Sequence, residues 1–494
     1  MTKKIFRWFT APAFADEVHR PPAEKASITT EHGGNWPRSR VLLEFTCVNK
    51  KGKLAKMPYT LEQSYEGVIA FGRVGTGKTT GTGEHISRAM LRAGYGGLVL
   101  CAKVSEADDW QARAVSEGRG EDVRRVTLDG PHTLNFLEYE NQHGANAESL
   151  VKFFDVLAEV MLEGDEQKKD VWDQSGKELL KNVMDLIRLA GEPLTVAAIL
   201  DIFADEDAAA ARFAKARKRD LEQRNAADLA AIEQYYKGEV KARSDKMRTS
   251  VTMGISSTLG PFKRGAMRDL FTTTTTLDPL ETREGKIIIV DIAVKQHHAQ
   301  ATLAAAIWKL SFQRAVERKR TDDSTRPVFL FADECQFFCA KTDADFQTTS
   351  RQAKCATIYL TQNFPTLANK YGGGPRGEAT AKGILGNLVT KIFHANDCPV
   401  TNQLACETLG KALISRTSRN ANANFGADEA GGSGGGGTTT NLVSDYQVQP
   451  VIFQTLATGG HTYGDKVTAV FFRGGNLCPN GRRYCVIRYR AIYQ

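Results

Sequence analysis

A glycine-rich segment that ends in a lysine and a threonine is the part of this chain whose residue types and spacing most directly imply chemistry. Residues 66–80 read EGVIAFGRVGTGKTT, which contains the pattern G-x-x-x-x-G-K-T. Glycines at these positions let successive backbone N–H groups curve around phosphate oxygens, and a following helix directs its positive end at the same anion. In this pattern the lysine reaches the β- and γ-phosphates and the threonine hydroxyl ligates Mg²⁺. The segment therefore predicts a site for a nucleoside triphosphate.

The sequence around this phosphate loop supports the prediction. Apolar residues 68–71 predict a buried strand before the loop, and residues 85–91 predict a helix after it. A chance glycine turn would rarely have both neighbours on the correct sides. Lys78 is expected to act as a catalytic cation and Thr79 as a metal ligand. The residues expected to bind the nucleotide are Gly72, Gly75, Thr76, Gly77, Lys78, Thr79 and Thr80.

An apolar run that ends in two carboxylates predicts the catalytic partner of this loop. Residues 328–334 read VFLFADE, which is typical of a central parallel strand buried on both faces. The carboxyl end of such a strand lies at the ligand-binding edge of an open α/β sheet. There Asp333 is expected to hold Mg²⁺ and Glu334 to act as general base towards water. A solvated acidic cap is the alternative for the pair alone, but beside a phosphate loop the pair favours hydrolysis.

Two polar residues downstream are candidates to complete the site. Residues 356–361 predict another strand, and Gln362 at its end is placed to sense the γ-phosphate or to orient water. Arg351 lies between the two strands, on a segment expected to be helical. An arginine so placed could face a neighbouring subunit's nucleotide as an arginine finger. A surface arginine on a solvated helix is its alternative.

The order of these segments resembles that of the type IV secretion coupling ATPases. From GRVGTGKTT the chain passes through a helical insertion to VFLFADE, SRQAK and IYLTQN, and the likeness covers residues 60–475 or so. That family comprises RecA-like hexameric motors of the FtsK–HerA superfamily, which feed DNA into conjugation machinery. The resemblance implies an α/β fold, with a RecA-like P-loop NTPase core, a parallel central sheet and an inserted all-α domain. It also implies ATP and Mg²⁺ as cofactors, a homo-hexamer, and the finger role in trans for Arg351.

The function implied by the resemblance is an ATP-hydrolysing ring motor that translocates DNA through its pore, without sequence specificity. A relaxosome or a secretion channel would be its protein partner. Two alternatives stay open: a soluble HerA-type ATPase of DNA processing or defence with a nuclease partner, and an ATP-dependent adaptor that recruits substrates to a secretion channel. Candidate DNA contacts are the basic run 215–219 and Lys263, Arg264 and Arg268, although such runs are more often solvated faces.

The N-terminal sequence departs from the family, whose members at a secretion channel usually carry a membrane anchor. No stretch approaches the roughly 20 apolar residues of a spanning helix, so we expect no transmembrane segment. The net charge of +8 is compatible with nucleic-acid contact but does not identify it. Nine cysteines without a C-x-x-C pair argue against a zinc site and fit reduced thiols in the cytoplasm. Recruitment to the inner membrane face is left open.

Composition and periodicity divide the chain into six parts. Apolar residues recur at three- and four-residue steps after residue 146, which predicts helices, and a thin apolar stripe predicts one long exposed helix over residues 205–248. The tract ADEAGGSGGGGTTT has no core-forming side chains. The predicted parts are an N-terminal leader (1–60), the first part of the nucleotide-binding domain (61–145), the inserted all-α domain (146–272), the second part of the nucleotide-binding domain (273–426), a flexible glycine-rich linker (427–440) and a C-terminal β-hairpin segment that completes the core (441–494).

Overall fold

One large sheet forms the centre of the computed structural model, which describes residues 34–161, 174–240, 254–256, 258–422 and 435–493. The sheet has 11 strands in the order β2-β1-β13-β12-β9-β3-β8-β7-β4-β6-β5, and β10 and β11 form a separate two-stranded sheet. The strands are β1 (Val41–Val48), β2 (Leu54–Thr60), β3 (Val68–Phe71), β4 (Gly96–Leu100), β5 (Val123–Val126), β6 (Ile287–Val290), β7 (Val328–Ala332), β8 (Cys355–Thr361), β9 (Thr390–Phe393), β10 (Lys411–Asn422), β11 (Gly435–Tyr446), β12 (Lys466–Arg473) and β13 (Tyr484–Arg490).

Seven neighbouring strands, from β9 to β5, run parallel to one another. Beyond β9, the strands β12, β13, β1 and β2 extend the sheet in antiparallel pairs. Every residue of β3, β4, β6, β7 and β8 is buried. Parallel strands covered on both faces need continuous apolar sequences, which explains runs such as VFLFA and IIIV. The predicted α/β class with a parallel central sheet is confirmed.

Helices cover both faces of this sheet. They are α1 (Leu61–Tyr65), α2 (Glu84–Arg92), α3 (Glu106–Ser116), α4 (Phe136–Gln142), α5 (Ala147–Met161), α6 (Gln174–Leu189), α7 (Val196–Ala204), α8 (Glu206–Lys218), α9 (Gln223–Tyr235), α10 (Gly265–Phe271), α11 (Val294–Glu317), α12 (Thr342–Thr349), α13 (Phe364–Lys370), α14 (Gly374–Asn387), α15 (Pro399–Leu409) and α16 (Gly460–Tyr463). Alternate residues of β3 belong to two separate cores: Val68 and Ala70 pack with α2 and α3, whereas Ile69 and Phe71 belong to the core that contains α5, α6 and α11.

The helical region between β5 and β6 differs in one respect from the sequence prediction. Instead of one long helix over residues 205–248, the chain forms α8 and α9, and residues 241–253 lie outside the described part. α8 ends at Lys218, and the next residue, Arg219, has an extended backbone (φ −78°, ψ 142°). The Arg219 side chain donates to the carbonyls of Arg188 and Leu189 at the end of α6. Binding these last carbonyls of α6 favours a chain reversal over a continuous helix.

Two predicted boundaries need correction. The second half of the expected N-terminal leader (1–60) belongs to the main sheet, because β1 pairs with β13 as well as with β2. In the expected flexible linker (427–440), residues 435–440 are part of β11, and residues 423–434 lie outside the described residues. The ladder runs without a break from Lys411↔Tyr446 to Asn422↔Gly435. Backbone hydrogen bonds between strands need no core-forming side chain. A high glycine content therefore did not prevent this segment from forming a strand.

Among the residues that the structure describes, no helix is long and apolar enough to cross a membrane.

Candidate active site

Five neighbouring strands of the parallel part end at one edge of the sheet, and the chain leaves each of them through a loop with polar residues. In order across the sheet they are β9, β3, β8, β7 and β4. β3 leads into the phosphate loop, β7 into the acid pair, β8 into Gln362, and β4 into a loop that carries Lys103. Because the carboxyl ends of parallel strands point the same way, residues far apart in the chain meet here.

The phosphate loop joins β3 to α2 through a π-helical turn, Lys78–Gly83. Gly75 and Gly77 have φ angles of 76° and 75°, in the left-handed region that favours glycine. A Cβ at Gly77 would lie 2.4 Å from Val467 Cγ2, so the position excludes a side chain for a second reason. The Thr76 hydroxyl donates to the Arg73 carbonyl at 2.8 Å. The loop is thus fixed by its own turn and by the C-terminal strands.

The acid pair lies directly against the end of this loop. The Thr79 hydroxyl donates to Asp333 Oδ2 at 2.8 Å. Lys78 Nζ lies 3.9 Å from Asp333 Oδ1 and 3.7 Å from Glu334 Oε1. Burial alone would raise the pKa of Asp333, but the charges of Lys78 and Lys103 and the Thr79 hydroxyl outweigh it, so this pKa lies below its usual value. Asp333 is therefore a carboxylate at neutral pH, with its negative charge at the phosphate loop.

Glu334 is held in a strained and well-supported position. Its backbone is left-handed (φ 53°, ψ 49°), which costs a residue with a side chain roughly 1–2 kcal/mol. Its carboxylate accepts from Gln336 Nε2 at 2.8 Å, and Gln362 Nε2 lies 3.2 Å from both of its oxygens. Gln336 is fixed in turn by the Thr361 hydroxyl, at 2.8 Å. Strain maintained by surrounding hydrogen bonds is a feature of functional sites, and here it aims one carboxylate.

Arg351 lies at the opposite end of the parallel strands from the phosphate loop, next to the amino end of β8. It is in the turn between α12 and β8, and the seven residues of β8 separate it from Gln362 by about 23 Å. Its side chain is 52% exposed and donates to Glu62 at 2.6 Å, with Glu66 3.8 Å away. The structure therefore does not bring Arg351 to the phosphate loop of its own chain. Its role in a neighbouring subunit stays a prediction.

Two charged residues of this site were not predicted from the sequence. Lys103 Nζ lies 3.1 Å from Asp333 Oδ2, and this carboxylate raises the pKa of Lys103 although burial opposes it. Glu106, the first residue of α3, is buried, and burial together with the Asp333 charge raises its pKa to about 8. The predicted strand at residues 97–101 could have indicated them, because residues that follow a parallel strand lie at the same carboxyl ends of the sheet as the acid pair.

The oxygen atoms at this edge fit a hard cation. A hydroxyl and an ionised carboxylate, here Thr79 and Asp333, are ligands that Mg²⁺ takes. Within the described part of the chain, no group of three or more His, Cys, Asp or Glu side chains could hold a metal by itself. A metal here would be held by Thr79, Asp333 and the phosphates of a nucleotide, which is how Mg²⁺ is bound in phosphate-transfer sites.

A strand, glycine loop and helix with a buried lysine, beside an acid strand of a parallel sheet, define the class of P-loop nucleoside triphosphatases. Comparison with known proteins narrows this class. Residues 327–452 match the family model described as the TraM recognition site of TraD and TraG. No curated protein matches the sequence.

Several solved structures share the fold of most of the chain. An unbound form of the bacterial conjugative coupling protein TrwBdeltaN70 matches with a TM-score of 0.60 at 14% identity, covering 93% of this chain and 98% of the other. The plasmid coupling protein TrwB with the GTP analogue GDPNP matches with a TM-score of 0.60 at 15% identity, covering 93% and 97%. TrwB with ADP and Mg²⁺ gives 0.60 at 14%, covering 94% and 98%. The shared fold confirms the predicted RecA-like core with a helical insertion. The matched segment adds a likeness to TraD and TraG over residues 327–452.

Proposed function

We propose that this protein is an ATP-hydrolysing, Mg²⁺-dependent ring motor that translocates DNA, as the conjugative coupling proteins it resembles do. The observation that carries the proposal is the contact of Thr79 and Lys78 with Asp333 and Glu334 at the sheet edge. This arrangement has a phosphate cradle, a metal-binding oxygen pair and a carboxylate for water within one site. The likeness to TrwB, which has been solved with ADP and Mg²⁺, supports this assignment.

Each residue of the site has a role in this proposal. The backbone from Gly72 to Thr80 holds the phosphates, and Lys78 offsets the charge that develops on the γ-phosphate. Thr79 and Asp333 hold the metal, which neutralises phosphate charge when bound. Glu334 takes a proton from the attacking water as general base.

Gln362 supports this step from β8. With one amide donor at 3.2 Å from both Glu334 oxygens, it orients the carboxylate that would accept the proton of the water. The Gln336 amide donates to the same carboxylate, so two amide groups define the orientation of the Glu334 side chain.

The assignment of Arg351 requires a second subunit. We propose that the chain forms a hexamer in which this exposed arginine approaches the nucleotide of its neighbour and stabilises the transition state. Its present partner, Glu62, is 34% exposed. A surface ion pair of this kind contributes about 0–1 kcal/mol, so the arginine can leave it at little cost.

DNA contact in the pore is the least localised element of the proposal. The basic run 215–219 is mostly engaged within the chain: Lys215 pairs with Glu192, Arg217 with Glu233, and Arg219 binds α6 carbonyls. Arg268 pairs with Asp269, whereas Lys263 and Arg264 are exposed. The proposal therefore favours Lys263 and Arg264 as phosphate contacts, with strong dependence on salt.

The family description also suggests a protein partner. Since the matched model is described as a TraM recognition site, we propose that residues 327–452 include a surface for a relaxosome component. The nine cysteines, none of them in a C-x-x-C pair, fit the reduced thiols of a protein that works in the cytoplasm. Work at the inner face of the membrane would then depend on a partner.

Steady-state ATP hydrolysis with and without single- and double-stranded DNA tests the motor. We expect stimulation by DNA that Lys78→Ala and Glu334→Gln both abolish, with Glu334→Gln retaining nucleotide binding. Glu284→Gln, at an exposed position, is the matched control and should behave as wild type. Hydrolysis that does not respond to DNA, combined with ATP-dependent assembly, would instead favour the adaptor function.

A further inference from the structure

The Lys103 ammonium shares a single carboxylate oxygen with the hydroxyl that is expected to ligate the metal. Lys103 Nζ lies 3.1 Å from Asp333 Oδ2, and the Thr79 hydroxyl donates to the same oxygen at 2.8 Å. The other oxygen of Asp333 faces Lys78 Nζ at 3.9 Å. Two ammonium groups therefore contact one carboxylate at the end of the phosphate loop.

The backbone at Lys103 is fixed by hydrogen bonds, whereas its side chain is partly exposed. Glu106 Oε2 accepts from the backbone N–H groups of Ala102 at 2.9 Å and of Lys103 at 3.3 Å. Glu106 is only 8% exposed, whereas the Lys103 side chain is 40% exposed. The stem of Lys103 thus starts from a defined place at the site and its charged end borders solvent.

A metal ion that binds Thr79 and Asp333 must approach the oxygen that Lys103 contacts. A divalent cation and an ammonium repel each other at this distance, so they compete for Asp333. The displaced ammonium remains near the site because its backbone is fixed. Lys78 is the lysine expected to reach the terminal phosphates, and both ammonium groups contact the same carboxylate. A phosphate bound at Lys78 would therefore be an anion within reach of Lys103.

We propose that Lys103 is a second lysine of the nucleotide site, which exchanges Asp333 for the γ-phosphate when Mg²⁺ binds. Glu106 is a positioning residue that holds the Lys103 loop. This inference rests on the proposed function, since it assumes that a nucleoside triphosphate and Mg²⁺ bind here. Because a diphosphate has no γ-phosphate, this contact would let the site bind a triphosphate more tightly than a diphosphate before hydrolysis occurs.

Two binding measurements on the full chain test the exchange. The Mg²⁺ concentration for half-maximal binding of fluorescent ADP should fall about two- to fivefold in Lys103→Met, because a partly exposed competitor of the metal is removed. The ratio of fluorescent ATP to ADP affinity at saturating Mg²⁺ should fall in the same variant, because the γ-phosphate loses a contact. Lys319→Met, which removes an exposed lysine outside the site, is the control and should change neither value.

Lys103→Arg supplies an opposite test that does not depend on the folding of Lys103→Met. A guanidinium binds a carboxylate through two parallel hydrogen bonds, so it should compete better with the metal and raise the Mg²⁺ requirement. An unchanged Mg²⁺ requirement in either folded variant, or an unchanged ATP to ADP ratio in Lys103→Met, would overturn the inference. Failure of wild type to bind either nucleotide would instead overturn the proposed function.

Discussion

The ion pair between Lys309 and Asp343 fixes the segment that follows the acid pair. The two side chains are 2% and 0% exposed, and Lys309 Nζ lies 2.8 Å from Asp343 Oδ2. Lys309 also donates to the Phe338 carbonyl at 2.5 Å, and Asp343 accepts from Gln313 at 3.0 Å and from the Ala340 N–H at 2.9 Å. Because both charges are buried, solvent cannot replace a lost partner.

Removing one member of this pair should therefore destabilise the protein strongly. Lys309→Met leaves the Asp343 carboxylate buried without a counter-ion, which costs about 3–5 kcal/mol. At roughly 2 °C per kcal/mol for a large domain, the midpoint of thermal unfolding should fall by about 6–10 °C. Adding Asp343→Asn removes the uncompensated charge, while the amide oxygen can still accept from Ala340. The double variant should recover more than half of the loss.

Thermal unfolding followed by circular dichroism, on wild type, both single variants and the double variant, measures these effects. Asp343→Asn alone should also lose stability, since it leaves the Lys309 ammonium unpaired. The exposed pair of Lys382 and Glu378, with atoms 3.6 Å apart, supplies the control. Lys382→Met should change stability by less than about 1 kcal/mol. If the stability losses of the two single variants instead add up in the double variant, the reasoning is refuted. The pair would then not stabilise the protein by compensating two buried charges.

Three further predictions concern the phosphate loop, a half-buried lysine and the subunit interface. Gly77→Ala should abolish tight binding of a fluorescent nucleotide, and Val467→Ala should restore it only in part, because the clash is relieved but the left-handed strain of about 1–2 kcal/mol remains. Burial lowers the pKa of Lys391 from 10.5 to about 8. Below pH 8 the free energy of unfolding is therefore reduced by the full cost of burying the charged ammonium, and this cost disappears as the pH rises to 10.5. Lys391→Met should therefore raise the unfolding midpoint more at pH 7 than at pH 10. Arg351→Ala should lower kcat without changing nucleotide affinity, and mixing it with Lys78→Ala subunits should restore part of the activity; no recovery would contradict a role in trans.

The elements that carry the main site residues could be predicted because their signals are local. The phosphate loop has a fixed spacing between a strand and a helix, and the acid pair ends a run that is apolar at every position. The buried strands β3 and β7 follow from these patterns. What the sequence does not contain is the lateral order of the strands. That order places β4 beside β7, and it results from packing over the whole domain.

Lys103 and Glu106 show why the rest of the site could not be predicted. Lys103 contacts a residue 230 positions away in the chain. Glu106 opens a helix that also has Asp108 and Asp109 in its first turn, a pattern that stabilises any helix N-terminus and usually faces solvent. Only the adjacency of β4 and β7 turns these residues into neighbours of Asp333. From the local charge pattern alone, Glu106 cannot be told from a solvated residue of a helix end, although the fold buries its carboxyl group.

The C-terminal strands explain a different part of the geometry, since they form the wall behind the phosphate loop. Val467 of β12 leaves no room for a side chain at Gly77. Tyr489 of β13 accepts from the Thr82 hydroxyl at 3.1 Å, and the N–H of Ile492 donates to the Thr80 carbonyl at 3.0 Å. The loop that binds phosphate is thus held on one side by β3 and on the other by the last residues described. Because β13 also pairs with β1, the antiparallel part of the sheet supports the site rather than merely extending it.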